Sequence, residues 1–333
     1  MKNKKVGILL LVILTASILL PSALAGVEPK GNGISAGAAK ISITPDTNLI
    51  SYAGVNDDLH ARAVVINRKG VNVVLIALDL LGIAVTDMTI PIRNEIEAEY
   101  GIDGDYVLIG STHTHASGVD VIGIYGGSFS TYIVEVYKPS LINKVVEVVG
   151  LALDDMRRAA VRVGSIEVDG MTFNRRAYPD TGPQDTELTA MRFIDSDGET
   201  IATFVNFASH PVITMTGTLV SADFPGYLCK KLEDDNGGIG IYFNGAQGNI
   251  NPSMFIKYSS PYASDDPAQY AAAEEYGEDL AEYVETALEN GNLFKNLPLE
   301  VAKTVVDFPL ENPGFIFAML SGMIDRDVII TPD

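Results

Sequence analysis

The sequence predicts an α/β fold, with mixed β-sheets covered by α-helices in an αββα-like layering, built as a single large domain. Three observations carry that expectation. Strand-like and helix-like segments interleave from end to end, several apolar runs are long enough to be buried on both faces, and no linker separates Gly26 from Asp333. A 333-residue chain that is 47% hydrophobic has ample material for a large core.

The elements follow in order. Residues 1–25 place Lys2, Lys4 and Lys5 before an apolar run from Val6 to Leu20 and a small-residue stretch at Ala23-Leu24-Ala25. That layout predicts a signal peptide cleaved after Ala25 and a mature chain of residues 26–333 in a secreted or cell-surface setting. The run is about 15 residues, short of the roughly 20 a bilayer span needs, so no transmembrane span is expected after cleavage. Beyond a Gly-rich joint at residues 31–37, AGAAKISITP, ARAVVINRKG and VNVVLIALDLLGI read as strands. IPIRNEIEAEYG has helical spacing and a glycine stop, and DYVLIGSTHTH reads as a buried strand ending in two histidines. A long helix is expected over STYIVEVYKPSLINKVVEVVGLALDDMRRA, kinked or split at Pro139.

AVRVGSIEVD, TELTAMRFID and ETIATFVNFASHP are further strands, the last two joined by a turn at Ser196-Asp197-Gly198. FPGYLCKKLED is helical with Tyr227, Leu228 and Leu232 inward, and GIYFNGAQ is a strand. The clearest helix is DDPAQYAAAEEYGEDLAEYVETALENG. There Asp266 can cap, Pro267 suits the first turn, and Tyr276, Leu280, Val284 and Leu288 form an apolar stripe.

Charge narrows the partners. The chain carries −20, and loss of the three leader lysines leaves 20 basic against 43 acidic residues, or −23. Such a chain repels nucleic-acid backbones and anionic lipid, so neither is an expected partner. The one cysteine, Cys229, allows no internal disulfide and reads as a packed core thiol.

Candidate chemistry centres on the four histidines. In an extended strand His113 and His115 project to the same side, where they can share a metal or divide between metal and substrate; two polar loop residues are the plain alternative. His210 closes another apolar strand, and Pro211 holds it extended. Histidines at the ends of buried strands lie where α/β proteins place their sites, and neutral imidazole is a favoured zinc ligand. His60 precedes a strand and is expected to be structural. Gly33-Ile34-Ser35-Ala36-Gly37 matches a GxSxG pattern but has no strand before it and no helix after it, so no nucleophile elbow is expected.

AKISITP, ALDLLGI, GSTHTHASG, FNRR, FASHPVI with SADFPGY, and FNGAQGNINP stand in the order found in the neutral/alkaline ceramidase superfamily, and the chain resembles that family over residues 36–255. The resemblance implies a zinc-dependent amidohydrolase domain over residues 26–333. It would cleave the N-acyl amide of a ceramide-like lipid to a fatty acid and a sphingoid base. It assigns Zn2+ to His113 and His210, a contact with the scissile carbonyl or its oxyanion to His115, and polar substrate contacts to Arg175. Asn251 stands where the family pattern carries a serine, and can hydrogen-bond substrate or simply form the turn before Pro252. SGVDVIGIYGG replaces the family's Gly-Pro-Gly-Gly after the histidines. The family's remaining ligands, a glutamate and a tyrosine, fall C-terminal to Asp333. The chain is therefore expected to be a fragment, or else Asp79 or Asp223 completes the site. Two other outcomes stay open: a zinc hydrolase of another N-acyl or ester substrate, and a noncatalytic surface binding protein.

Overall fold

A computed structural model of the chain describes residues 33–122, 130–178, 182–255, 267–304 and 311–323. The expected signal peptide, the Asp266 cap, the tail DRDVIITPD and residues 123–127 of the loop after the histidines lie outside the described residues. Thirteen strands occur among the described residues: β1 (Ile34–Ser42), β2 (Gly54–Val55), β3 (His60–Arg68), β4 (Val71–Leu78), β5 (Val107–Ser111), β6 (Arg157–Glu167), β7 (Thr172–Asn174), β8 (Glu187–Asp195), β9 (Thr200–Phe207), β10 (Leu219–Val220), β11 (Ile239–Asn244), β12 (Ile250–Pro252) and β13 (Asn292–Phe294). The helices that cover them are α1 (Ile90–Tyr100), α2 (Lys138–Asp154), α3 (Asp223–Asn236) and α4 (Pro267–Glu289).

One mixed sheet dominates, in the order β11-β9-β8-β6-β1-β3-β4-β5, with β13 added along β6. Its middle is antiparallel, and each edge ends in a parallel pair, β4 with β5 and β9 with β11. A parallel pair needs a crossover, and α1 and α3 supply the two. The α/β class is as the sequence predicts, but the two β-layers are halves of one continuous sheet bent over on itself. Ile34, Ala36, Ala38, Val64 and Ala77 from one half share a core with Ala159, Val161, Phe193, Ile201, Ala202 and Ile241 from the other. Outside this seam, α1 and α2 cover β3 and β4, while α3 and α4 cover the half that holds β8, β9 and β11.

Small residues make the bend possible. A β-carbon on Gly110 of β5 would stand 2.8 Å from the Phe243 ring of β11, so only glycine lets these edge strands meet face to face. Phe243 in turn stacks on Phe204 of β9, with centroids 5.3 Å apart. The side-chain amide of Asn244 donates to the Thr112 carbonyl, tying the two carboxyl ends together.

Several local expectations are corrected. Residues 31–37 are not a joint throughout, because β1 begins at Ile34 and pairs along β3 and β6. Ser35 is thus a buried strand residue, in keeping with the absence of a nucleophile elbow. Pro139 marks a change in the long helix: a widened π-helical stretch over Tyr132–Tyr137 runs directly into α2, and Pro139 sits in the first turn of α2. Cys229 lies on the buried face of α3, and burial pushes its thiol up to about 12, as suits an inert residue.

Candidate metal centre

The bend brings the carboxyl ends of both parallel pairs to one place, and the histidines leave the sheet there. β5 stops at Ser111, so the HTH segment is a loop and not the extended strand the alternation argument assumed. Its backbone continues to use the end of β4: Thr112 N–H donates to Leu78 O at 2.8 Å and His113 N–H to Leu80 O at 2.9 Å. His113 then takes a left-handed conformation, φ 72°, which turns the chain sharply. His115 is held from the opposite side by its N–H to Pro211 O at 3.2 Å. His210 lies beyond the end of β9, where its N–H donates to Ile250 O at 2.9 Å.

The three imidazoles converge. Their ring centroids are 4.8 to 5.0 Å apart, and one nitrogen from each lies within 4.8 Å of the others. His113 Nδ1 is 2.6 Å from Leu81 O, and His210 Nδ1 is 3.4 Å from Gln247 O. A carbonyl only accepts, so both Nδ1 atoms carry the proton and both Nε2 atoms present a lone pair. This is how metal-ligating histidines are oriented, with the second ring nitrogen anchored to the protein. His115 Nε2 lies 2.9 Å from His210 Nε2, close enough for an N–H to donate to that lone pair.

Electrostatics keep the rings neutral. Burial pulls His115 down to about 4, helped by the charges of His113 and Arg175. Burial likewise pulls His210 down to about 3, with His113, His115 and Arg175 adding to it. His113 is also lowered, again first by burial, with its bond to Leu81 opposing and Arg175 assisting. Neutral imidazoles with free Nε2 lone pairs are the donor set a zinc-type ion requires, so these residues fit such an ion.

Asp79 and Asp223 do not join the trio. Asp79 is fully buried in an ion pair with Arg62 and accepts the His60 N–H at 2.9 Å. Asp223 accepts from Thr214 N at 2.8 Å and Thr214 Oγ1 at 2.7 Å with one oxygen, and from Phe224 N at 2.7 Å with the other. Among the described residues, the group of three or more metal-capable side chains is His113, His115 and His210. His60 opens β3, apart from this group.

Arg175 and Asn251 belong to the short β7–β12 sheet and its exit, where Ile250 pairs with Asn174. Arg175 N–H donates to Asn249 O at 2.9 Å and its Nη2 to Gly248 O at 2.8 Å. Asn251 lies in β12 opposite Phe173, not in a turn, and its buried Oδ1 has no hydrogen-bond partner among the described residues. Beside His115 opens a cleft of about 440 Å³, lined among others by Leu49, Ile50, Tyr52, Leu81, Val119 and Ile133. Sequence reasoning missed that cleft and both carbonyl anchors. A backbone carbonyl leaves no residue-type signal, and the cleft draws on segments that carry no motif.

Fold and site together define an α/β protein with a three-histidine candidate metal centre where two crossover units meet. A sequence profile described as "Neutral/alkaline non-lysosomal ceramidase, N-terminal" matches residues 50–240, and the chain belongs to that family. Among solved structures it is similar to neutral ceramidase from Pseudomonas aeruginosa and to a ceramidase complexed with C2. Each has a TM-score of 0.66 and 20% identity, over 77% of this chain and 44% of the other. The chain thus spans less than half the length of these structures, and at this identity the likeness is one of fold.

Proposed function

We propose that this chain carries the histidine part of the active site of a secreted zinc-dependent amidohydrolase. Its substrates are ceramide-like N-acyl lipids, split to a fatty acid and a sphingoid base, and its catalytic domain covers residues 26–333. The observation that carries the reading is the trio itself, with Nδ1 of His113 and of His210 anchored on carbonyls and both Nε2 atoms turned inward. A bound zinc would lower the pKa of its water toward about 7 and polarise the scissile carbonyl.

The chain's own residues do the rest. His113 and His210 offer the ligand nitrogens. His115, neutral because burial lowers it to about 4, keeps an N–H to offer a developing oxyanion, a contribution of about 3 to 4 kcal/mol in comparable sites. Arg175 and Asn251 serve as polar substrate contacts. Apolar side chains in the cleft beside His115 suit an acyl chain. No described helix is long and apolar enough to cross a membrane.

Zinc titration of the purified chain tests the reading. About one zinc per chain is expected, lost in His113→Ala and in His210→Ala, and retained in His115→Ala with turnover of ceramide abolished. Full zinc content in a His113→Ala/His210→Ala double variant, or none in the unaltered protein, overturns it. A screen of ceramide against short N-acyl amines and esters separates the ceramide reading from that of another N-acyl or ester hydrolase.

A further inference from the structure

Residues 221–223 stand between the two loops that carry the histidines, and the chemistry proposed above leaves them without a role. Thr114, between His113 and His115, is fully buried. Its Oγ1 donates to Ser221 O at 2.8 Å and accepts the Ala116 N–H at 3.2 Å, while Ser221 N–H returns to Ala116 O at 2.9 Å. Ser221 is fully buried too, and its Oγ donates to Asp57 Oδ1 and accepts the Asp223 N–H at 2.9 Å. Asp57 Oδ2 takes the Ala222 N–H at 2.7 Å, so one carboxylate fixes the segment at two points. Asp223 then reaches the other loop, its Oδ2 accepting from both the N–H and the Oγ1 of Thr214, which follows His210. Among the described residues three positions other than glycine have a positive φ, and two of them, His113 at 72° and Asp223 at 58°, lie in this arrangement. Such conformations persist where surrounding contacts enforce them, and they cluster at functional sites.

We propose that Thr114, Ser221 and Asp223 form a buckle between the two loops that sets the spacing of the histidine trio. They are positioning residues, acting through the imidazoles. The proposal rests on reading the trio as a zinc centre with His115 at the oxyanion. His115 depends on the buckle most. The rings of His113 and His210 are each anchored on a carbonyl through Nδ1, whereas among the described residues the His115 ring is bonded to His210 alone. Its place is therefore set by its backbone, which Thr114 on one side and the bond to Pro211 O on the other hold still. An oxyanion donor works only at the position where charge develops, so a small shift of this loop acts on turnover before it acts on substrate binding.

Thr114→Val removes the hydroxyl at nearly constant volume, and Thr114→Ser keeps it, so the pair tests the buckle in the full chain. In Thr114→Val, zinc affinity measured by competition with a chelator should fall about ten-fold, the size usual for a lost outer contact of a metal site. With zinc saturating, kcat on ceramide should fall by a similar factor while KM holds, and Thr114→Ser should restore both. A role in stability alone would lower the urea midpoint and leave these quantities unchanged in the folded protein. Ser221→Ala cuts the other end of the buckle and carries the same expectation, which keeps the test decisive where Thr114→Val does not fold. A folded Thr114→Val or Ser221→Ala with unaltered zinc affinity and kcat, or a Thr114→Ser that loses as much as Thr114→Val, overturns the proposal. Imidazole 15N spectra of the metal-free protein keep the two readings apart. The His115 and His210 signals should move in Thr114→Val and stay in Thr114→Ser. If the unaltered chain takes up no zinc, the zinc reading fails; moved signals then still uphold the buckle, and unmoved ones reject it.

Discussion

Replacing Asp79 by alanine discriminates between a structural and a ligand role for the most buried carboxylate of the β4 end. Asp79 is fully buried and Arg62 is 3% exposed, so each is the other's compensation. Burial alone would lower the Arg62 guanidinium, but the adjacent Asp79 charge holds it above its ordinary value. Among the described residues Arg62 Nε and Asp79 Oδ1 have no hydrogen-bond partner, so apart from the His60 N–H on the other Asp79 oxygen the two charges rely on each other. Removing one partner leaves an uncompensated buried charge, which costs about 3–5 kcal/mol. Against a total stability of about 5–15 kcal/mol, urea denaturation should show a large drop in midpoint with an unchanged slope. The double variant Arg62→Met/Asp79→Leu removes both charges together and should recover most of that loss. Zinc affinity of the double variant, measured by competition with a chelator, should equal that of the unaltered protein. A cost below about 1 kcal/mol for Asp79→Ala, or a double variant that folds and loses zinc, refutes the ion-pair account and returns Asp79 to the metal.

Two further outcomes follow from the same structure. Gly110→Val places methyl groups where the Phe243 ring stands, an overpacking worth about 1–3 kcal/mol, and zinc affinity should fall as well because the layers that carry the histidines are pushed apart; unchanged zinc binding contradicts this. Asp57 is raised to about 6 by burial, against which Ser221, Asn56 and the Ala222 N–H only partly act. A raised acid holds its proton longer in the folded state than in the unfolded one, so stability falls as pH climbs from about 4 to 6 and is level above. Relative to the unaltered protein, Asp57→Asn should therefore gain about 1 kcal/mol between pH 5 and pH 7, read from paired urea curves. A difference that does not change with pH removes Asp57 from this role.

Much of the framework was legible because it depends on periodicity. Apolar runs such as VNVVLIALDL have the composition of a buried strand, and Gly101 ends α1 in the left-handed conformation its position suggests. The convergence of GSTHTHASG and FASHP was legible only as an inference from two strand ends. The element that joins them, a sheet bent through Gly110 and Phe243, depends on tertiary contact and has no local period. His113 shows the limit most plainly. Alternation placed it beside His115 for a reason that does not hold, since the backbone turns at φ 72° after β5 has ended. β2, β7, β10, β12 and β13 escaped because segments of two or three residues carry too little pattern to read. Asp79 and Asp223 were plausible ligands by type alone, and the partners that occupy them become visible only in three dimensions.

The bent sheet gives the histidine centre a mechanical meaning. His115 and His210 are 95 residues apart in the chain yet in contact, and a single cysteine allows no disulfide within residues 1–333. An ion gripped by histidines from both edges would act as a staple across that loop, restricting the unfolded chain as a disulfide of similar span does, an effect of about 4–5 kcal/mol. Metal supply and mechanical integrity would then be one variable, and a chelator would loosen the edges of the sheet while its antiparallel middle stayed closed.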